Sequence, residues 1–319
     1  MPLIQHTVHA EEDNATLAAV VRGMYEGLSW NKARALIASG RVTINGQQHF
    51  DGAARVHAGD QIAADRSAPK AAAATLPGAN LLHVDHDIVV VLKPAGVETV
   101  PFDERQKDTS SLLAMTRQTL LEEQRRKGGP VQRGLGVVQR LDKETSGVLV
   151  FPRTHQARKL LQQQFRAHTI HRRYVALVTG IPEETTIDTH LVSNRGDGKR
   201  GSWRGASKPP KEARRAITHV RVLESLDGAA LVECELETGR QHQIRIHLAE
   251  RGHPLVGDRV YTPRGTRGPA RAARATRTML HAASLGFRHP ADGRPVQFAS
   301  PPPADFDNLL QSLREPRRI

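Results

Sequence analysis

Apolar positions change their spacing several times along the chain. Leu17, Val20, Val21 and Met24 recur at helical spacing between Ala15 and Glu26. Gly27 breaks that run, Ser29 can cap a second helix over Trp30–Ser39, and Gly40 ends it. Val42 to Ile44 then alternate as a short strand before Asn45-Gly46, a strong hairpin signal. A last short strand around Gly59 to Ile62 closes this small unit. The Pro- and Ala-rich stretch from 65 to 79 reads as a linker. Beyond it, Ile88–Leu92 predicts a strand leading into Lys93-Pro94-Ala95-Gly96, and helices are expected over Thr109–Gln124 and over Thr154–Ala167 with Thr154 as cap. Val137, Val138 and Leu141 precede a polar turn, Asp142 to Gly147, and Val148–Phe151 follow it. That pattern predicts strand, loop and strand, with Asp142 at the rim of a core. Arg173–Gly180 and Leu231–Leu236 alternate as half-buried strands. Gln241–Arg251 reads as a helix, with Thr238 as its cap and Gly252 as its stop. Pattern alone supports an α+β class.

Length and charge narrow the function. A chain of 319 residues suggests about two domains. No apolar run approaches the ~18 residues of a membrane span, and the first residues lack a basic-then-apolar signal pattern. The single cysteine, Cys234, excludes an intrachain disulfide. A cytoplasmic monomer is the expectation. Lys and Arg number 46 against 33 acids, a formal charge of +13, which points to a polyanionic partner such as nucleic acid. The excess is uneven. Arg195–Arg215 holds eight Lys/Arg against Asp197 and Glu212. Thr262–Leu280 holds Arg264, Arg267, Arg271, Arg274 and Arg277 and no acid. Both are expected as loops or a short helix on a basic surface. With only 4% aromatic residues, phosphate contacts rather than an aromatic platform should dominate the grip.

The chemistry concentrates in three segments. The turn Arg140-Leu141-Asp142-x-x-Thr145-Ser146-Gly147 presents one carboxylate. An isolated Asp there would ordinarily bond its own turn. Tyr174 lies in the strand Tyr174-Val175-Ala176-Leu177-Val178-Thr179-Gly180, where a lone Tyr is ordinarily a core aromatic. The third segment is Thr238-Gly239-Arg240-Gln241-His242-Gln243-Ile244-Arg245-Ile246-His247-Leu248, whose Arg residues would ordinarily be solvated. Together, in this order, the three closely resemble the signature motifs of the RluA-type pseudouridine synthases. Lys93-Pro94-x-Gly96, Gly257-Asp258-x-x-Tyr261, Leu280-His281-Ala282 and Leu285-x-Phe287-x-His289-Pro290 extend the resemblance from about Leu81 to Pro303. The family usually has His where this chain has Gln139, a residue that cannot titrate; the departure bears on loop packing or RNA contact.

The resemblance implies a mixed, largely antiparallel sheet with flanking helices in a catalytic domain over 80–319. It implies an isomerase that turns uridine into pseudouridine in RNA, needing no cofactor and no metal. Asp142 would be the catalytic carboxylate, with Arg245 paired to it and favouring its charged form. Tyr174 would contact the target base, and Arg140 would fill the space left by the flipped uridine. Residues 1–64 similarly resemble an S-four type RNA-binding domain, a small α/β-hairpin module in which Lys32, Arg34 and Arg41 would meet RNA. Large-subunit ribosomal RNA is the expected substrate; transfer RNA, or a non-catalytic ribosome-assembly role on the same fold, are the alternatives. Gly196 to Gly201 satisfies Gly-x-Gly-x-x-Gly, but no strand leads into it and no long helix can follow, so nucleotide binding is not expected there. His168/His171 and His242/His247 lack partners at metal-site spacing and read as RNA-facing or structural.

Overall fold

A computed structural model of the chain describes residues 3–49, 52–67, 80–101, 110–127, 134–205, 207–266 and 268–315. Most of the expected linker and Arg267 lie outside them. The chain divides into two compact units, Met1–Leu76 with Val100–Val131, and Pro77–Thr99 with Gln132–Ile319.

In the first unit, β1 (Ile4–Thr7), α1 (Leu17–Gly23), α2 (Trp30–Ala38), β2 (Val42–Ile44), β3 (Gln47–Gln48) and β4 (Gln61–Ala64) follow in order. The hydroxyls of Thr16 and Ser29 accept the N–H groups of Ala19 and Lys32, capping the two helices. Asn45 and Gly46, both at positive φ, form the predicted hairpin turn between β2 and β3. The sheet order is β1-β4-β2-β3; the pairing of β1 with β4 was not legible in the polar pattern of Ile4–Thr7. Leu17, Val21, Ile37, Val42 and Ile62 build one core.

The second unit begins with β5 (Leu81–Val84) and β6 (Ile88–Lys93). The chain next forms α3 (Leu112–Lys127), which groups with the first unit. It continues with β7 (Ser146–Pro152), α4 (His155–Arg166), β8 (His171–Thr179), β9 (Thr185–Val192), β10 (Gly201–Ser202), β11 (Arg214–Leu226) and β12 (Ala229–Leu236). Last come α5 (Gln243–Glu250), β13 (Leu280–Arg288), β14 (Pro295–Ala299) and α6 (Ala304–Arg314). One sheet runs β10-β9-β11-β12-β8-β13-β7-β6-β5, with β14 paired to β13. Among the described residues every pairing in this sheet is antiparallel except that of β13 with β7. The α+β, largely antiparallel expectation holds.

Helices cover the sheet by burying short apolar stripes. Ala157 and Leu161 of α4 pack on Ile88, Val90, Val148 and Val150, and Thr154 caps α4 as expected. Phe306, Leu309, Leu310 and Leu313 of α6 pack on Leu177, Ala229 and Met279. At the centre, β7 and β13 approach so closely that a Cβ at Gly147 would overlap the Ala282 backbone. Cys234 is buried in β12, and burial pushes its thiol up to about 12, so it is inert. Among the described residues no helix is long and apolar enough to cross a membrane.

Candidate active site

The polar turn after Leu141 leads into β7 as expected, but no strand precedes it: residues 134–142 are irregular. Their backbone is satisfied by a side chain and a few single bonds instead of a ladder. The Leu141 N–H donates to Thr99 Oγ1 (3.0 Å), and that hydroxyl donates back to the Leu141 carbonyl (2.8 Å). The Gly136 N–H donates to the Pro152 carbonyl at 2.7 Å. The loop is held from below by Lys93, which is fully buried. Its ammonium donates to the carbonyls of Pro94 (2.9 Å), Val97 (2.5 Å) and Lys143 (2.8 Å). Burial pulls the Lys93 pKa down to about 7, against the charges of Glu144 and Asp142. The Lys-Pro-x-Gly turn thus fastens the residue that follows Asp142.

From the other side comes α5. Its first residue, Gln243, is buried with every polar group engaged. Its Oε1 accepts from Thr238 Oγ1 (2.8 Å) and Arg240 N–H (3.0 Å), while Nε2 donates to the Ile217 carbonyl and Thr218 Oγ1, both at 2.9 Å. Thr238 is therefore not the helix cap that spacing suggested. Its hydroxyl also accepts the Ile217 N–H at 2.8 Å and ties the helix entry to β11. The residue before the helix is His242, in the left-handed region at φ 59°.

This anchoring aims Arg245 inward. Its Nε and Nη2 donate to the two oxygens of Asp258 at 2.7 and 3.0 Å, and its Nη1 donates to Asp142 Oδ2 at 3.3 Å. The Asp258 side chain is 1% exposed and that of Asp142 24% exposed, so one carboxylate is enclosed and the other faces solvent. Burial opposes charge on both Arg245 and Asp258. Their mutual bonds, with the N–H groups of Tyr261 and Val260 on Asp258, outweigh it: the arginine pKa is raised and that of Asp258 lowered. Charge-assisted bonds of good geometry run about 2.7–2.9 Å. The grip on Asp258 is therefore tight and that on Asp142 looser.

His242 and Tyr261, which the sequence marks only as motif members or structural groups, complete the cluster. His242 Nε2 lies 3.8 Å from Asp142 Oδ2, and its Nδ1 is 2.8 Å from the Tyr261 hydroxyl. Burial lowers the His242 pKa, opposed by Asp142 and assisted by Arg245. Tyr261 packs under the Arg245 guanidinium, 5.1 Å from its ring centre. In sequence Asp258 is one member of Gly257-Asp258-x-x-Tyr261. No local signal distinguishes it, because the partner lies on another element.

Tyr174 reaches the site through register. Gly147 on β7 pairs Ala282 on β13, and Ala282 pairs Tyr174 on β8, so the tyrosine stands two strands across from the end of the Asp142 turn. It is buried, and burial raises its pKa; the Asp142 charge is felt at its hydroxyl. Arg140 is exposed and has no carboxylate partner among the described residues. Gln139 Nε2 is buried without an acceptor. Lys32 and Arg34 are exposed on α2, and Arg41 is half-buried at the start of β2; all three belong to the first unit.

A cation site is conceivable at one other cluster only among the described residues, His83, Asp85 and His289. Asp85 Oδ2 already lies 2.9 and 2.8 Å from the two Nε2 atoms. His289 Nδ1 accepts the Ala291 N–H, so a neutral His289 carries its proton on Nε2, where a metal would bind. The group reads as two imidazoles bonded to one carboxylate.

The sequence matches the RNA pseudouridylate synthase family over residues 87–250. It is 35% identical to an uncharacterized RNA pseudouridine synthase of Synechocystis, over 90% of this chain and 86% of that one. It is 33% identical to ribosomal large subunit pseudouridine synthase D of Zymomonas mobilis, over 98% of each. Identity to the synthase D of Xanthomonas campestris is 36%, over 74% of this chain and 70% of that one. Among solved structures, human RNA pseudouridylate synthase domain containing 4 superposes with a TM-score of 0.59 at 24% identity, over 74% of this chain and 93% of that one, a likeness of fold. The chain therefore belongs to the RNA pseudouridine synthases, isomerases that act on RNA.

Proposed function

We propose that this synthase acts on uridines of large-subunit ribosomal RNA, with Asp142 as its catalytic carboxylate. The observation that carries the reading is the Arg245 fork. Asp258 takes two donors and is enclosed, which leaves one donor to hold a solvent-facing Asp142. The reaction detaches uracil at nitrogen 1, turns it and rejoins it to ribose through carbon 5, expelling the hydrogen there. It needs a fixed carboxylate beside a pocket for the loose base. Three roles suit Asp142: attack on the base, attack on the ribose, or removal of a ribose proton. Tyr174, kept protonated by burial, is read as the wall against which uracil stacks and as a donor for late proton transfer. Arg140, exposed two residues before Asp142, is read as filling the gap left when the uridine flips.

The substrate reading draws on the names of the Zymomonas and Xanthomonas relatives, which specify the ribosomal large subunit. It also draws on the N-terminal segment. Residues 1–64 are read as an S-four type RNA-binding domain, 65–79 as linker and 80–319 as the catalytic domain, which contains the family match at 87–250. Lys32, Arg34 and Arg41 are read as RNA contacts, in a monomeric cytoplasmic enzyme.

The test is tritium release from unmodified ribosomal RNA labelled at carbon 5 of uridine. Release by wild type and none by Asp142→Asn is expected; equal release would remove Asp142 from the mechanism. Release from transfer RNA alone would move the substrate. No release from either RNA, with binding intact, would favour a non-catalytic role.

A further inference from the structure

The segment between β9 and β11 has no part in the cluster just described, yet it is built tightly against it. Asn194 Oδ1 accepts the N–H groups of Gly196 (2.8 Å) and Gly198 (2.9 Å), closing a small loop where the Gly-rich motif lies. The Lys199 ammonium donates to the Val260 carbonyl at 2.7 Å, one residue from Tyr261. β10 then joins the edge of β9, and the Ser202 N–H donates to Glu250 at 3.0 Å. Between these anchors stands Arg200, half-buried and with no carboxylate partner among the described residues. Its charge acts on both His242 and Tyr261.

Trp203 comes directly after β10. Its N–H donates to the His190 carbonyl at 2.7 Å, and its indole Nε1–H donates to the Ser207 carbonyl at 3.3 Å. A Cβ at Gly205 would collide with the ring, so only glycine lets the backbone lie against that indole. The side chain is held at one edge and from one side, yet the residue remains 37% exposed. A single exposed apolar residue usually needs no explanation. This one is held by the Ser207 carbonyl, has its only polar group satisfied, and lies in a stretch of sequence rich in cations. Lys208 and Lys211 are exposed and have no carboxylate partner among the described residues. Arg204 is 4.0 Å from Glu250, with a side chain 71% exposed.

We propose that Trp203 is a stacking surface for an unpaired nucleobase beside the target uridine, with Arg200, Lys208 and Lys211 taking the neighbouring phosphates. An exposed aromatic face recognises any base through its π surface, and one already ordered loses little freedom on binding. The strip from Arg200 to Trp203 starts next to the Asp142 cluster, so the base it holds is a near neighbour of the reacting one. This rests on the RNA-modifying reading and adds a grip that low aromatic content did not suggest.

The chain has two tryptophans, Trp30 and Trp203. Trp30→Phe therefore leaves Trp203 as the sole indole reporter. In that variant a short single-stranded oligouridylate should quench the fluorescence, and an RNA duplex of the same length should not. No quenching, or equal quenching by both, overturns the proposal. In tritium release from the ribosomal transcript, Trp203→Ala should raise KM about tenfold with kcat kept within about twofold, and Trp203→Phe should recover most of the loss. A fall in kcat at unchanged KM, or no rescue by Phe, would make Trp203 a structural member of the loop and overturn it. Should Asp142→Asn release tritium like wild type, the catalytic assignment fails while the quenching result still decides on Trp203.

Discussion

Two arginine-rich segments, 195–215 and 262–280, look alike in composition and end in different places. The first stays at the surface. Its Arg204, Lys208, Lys211 and Arg214 are exposed, and its pairs Arg195–Asp197 and Arg215–Asp188 face solvent. The second turns inward in part. Arg277 is buried and forks onto Asp305 at 2.5 and 3.1 Å, and its remaining nitrogen donates to the carbonyls of Glu144, Thr278 and Leu280. Arg271 donates to the carbonyls of Ser312 and Glu315 at the end of α6. The expectation that both segments form a basic surface is thus corrected for Arg277 and Arg271, whereas Arg264 and Arg274 are exposed as expected. Besides two carbonyls of the segment itself, the groups that capture Arg271 and Arg277 come from the chain beyond residue 300 and from the Asp142 loop. Charge counted along a sequence does not separate a cation that grips a ligand from one that fastens the fold.

The largest break in this comparison should come from Arg277→Ala. It strands Asp305 and the three carbonyls, and the loss should be about 2–4 kcal/mol in urea unfolding. A variant as stable as wild type would return Arg277 to the surface class. Because one of those carbonyls belongs to Glu144, activity should fall as well.

Next is the acid limb. Burial raises the Asp305 pKa, but the Arg277 bonds and charge outweigh it and hold the carboxyl below its ordinary 3.8. The unfolded chain then binds the proton first, so this contribution is present above pH 3.8 and is lost as pH falls through the folded pKa. Asp305→Asn should flatten the stability slope below pH 3.8. Asp197→Asn removes an exposed partner, where solvent and salt screen the pair, and should flatten it less. Equal slopes for the two variants would erase the distinction.

Arg271→Ala should loosen the end of α6 and cost about 1 kcal/mol, seen as faster amide exchange there. Smallest in stability is Lys208→Ala with Lys211→Ala, within about 0.5 kcal/mol of wild type. Its effect belongs to RNA. The slope of log affinity against log salt should fall by roughly 1.4–1.8. An unchanged slope would mean that neither lysine meets a phosphate.

The same contrast explains what could be foreseen. The α4 cap, the β2–β3 turn and the strands β8 and β12 follow from local spacing and capping chemistry, which need only neighbours. Asp142 and Arg245 are marked by the motifs that contain them. The strand expected before Asp142 failed because Thr99, more than forty residues earlier, takes both backbone groups of Leu141. Thr238 failed as a cap because Gln243 offers its hydroxyl a buried partner. Asp258 and His242 gained their places only when distant elements met.

The parallel pairing of β7 with β13 has a temporal consequence. His281 aligns with Ser146 and Ala282 with Gly147, so β7 waits for a strand made about 135 residues later. At roughly 5–20 residues per second that is about 7–27 s of synthesis. During it one edge of a strand buried along its whole length lacks its permanent neighbour, a state prone to wrong pairing. Tyr174 is joined to that strand only through β13. The site is therefore assembled late, by a sequence-distant contact of the kind that makes folding slow, and a nascent chain halted before Ala282 would carry Asp142, Tyr174, Arg245 and Asp258 and still lack an active enzyme.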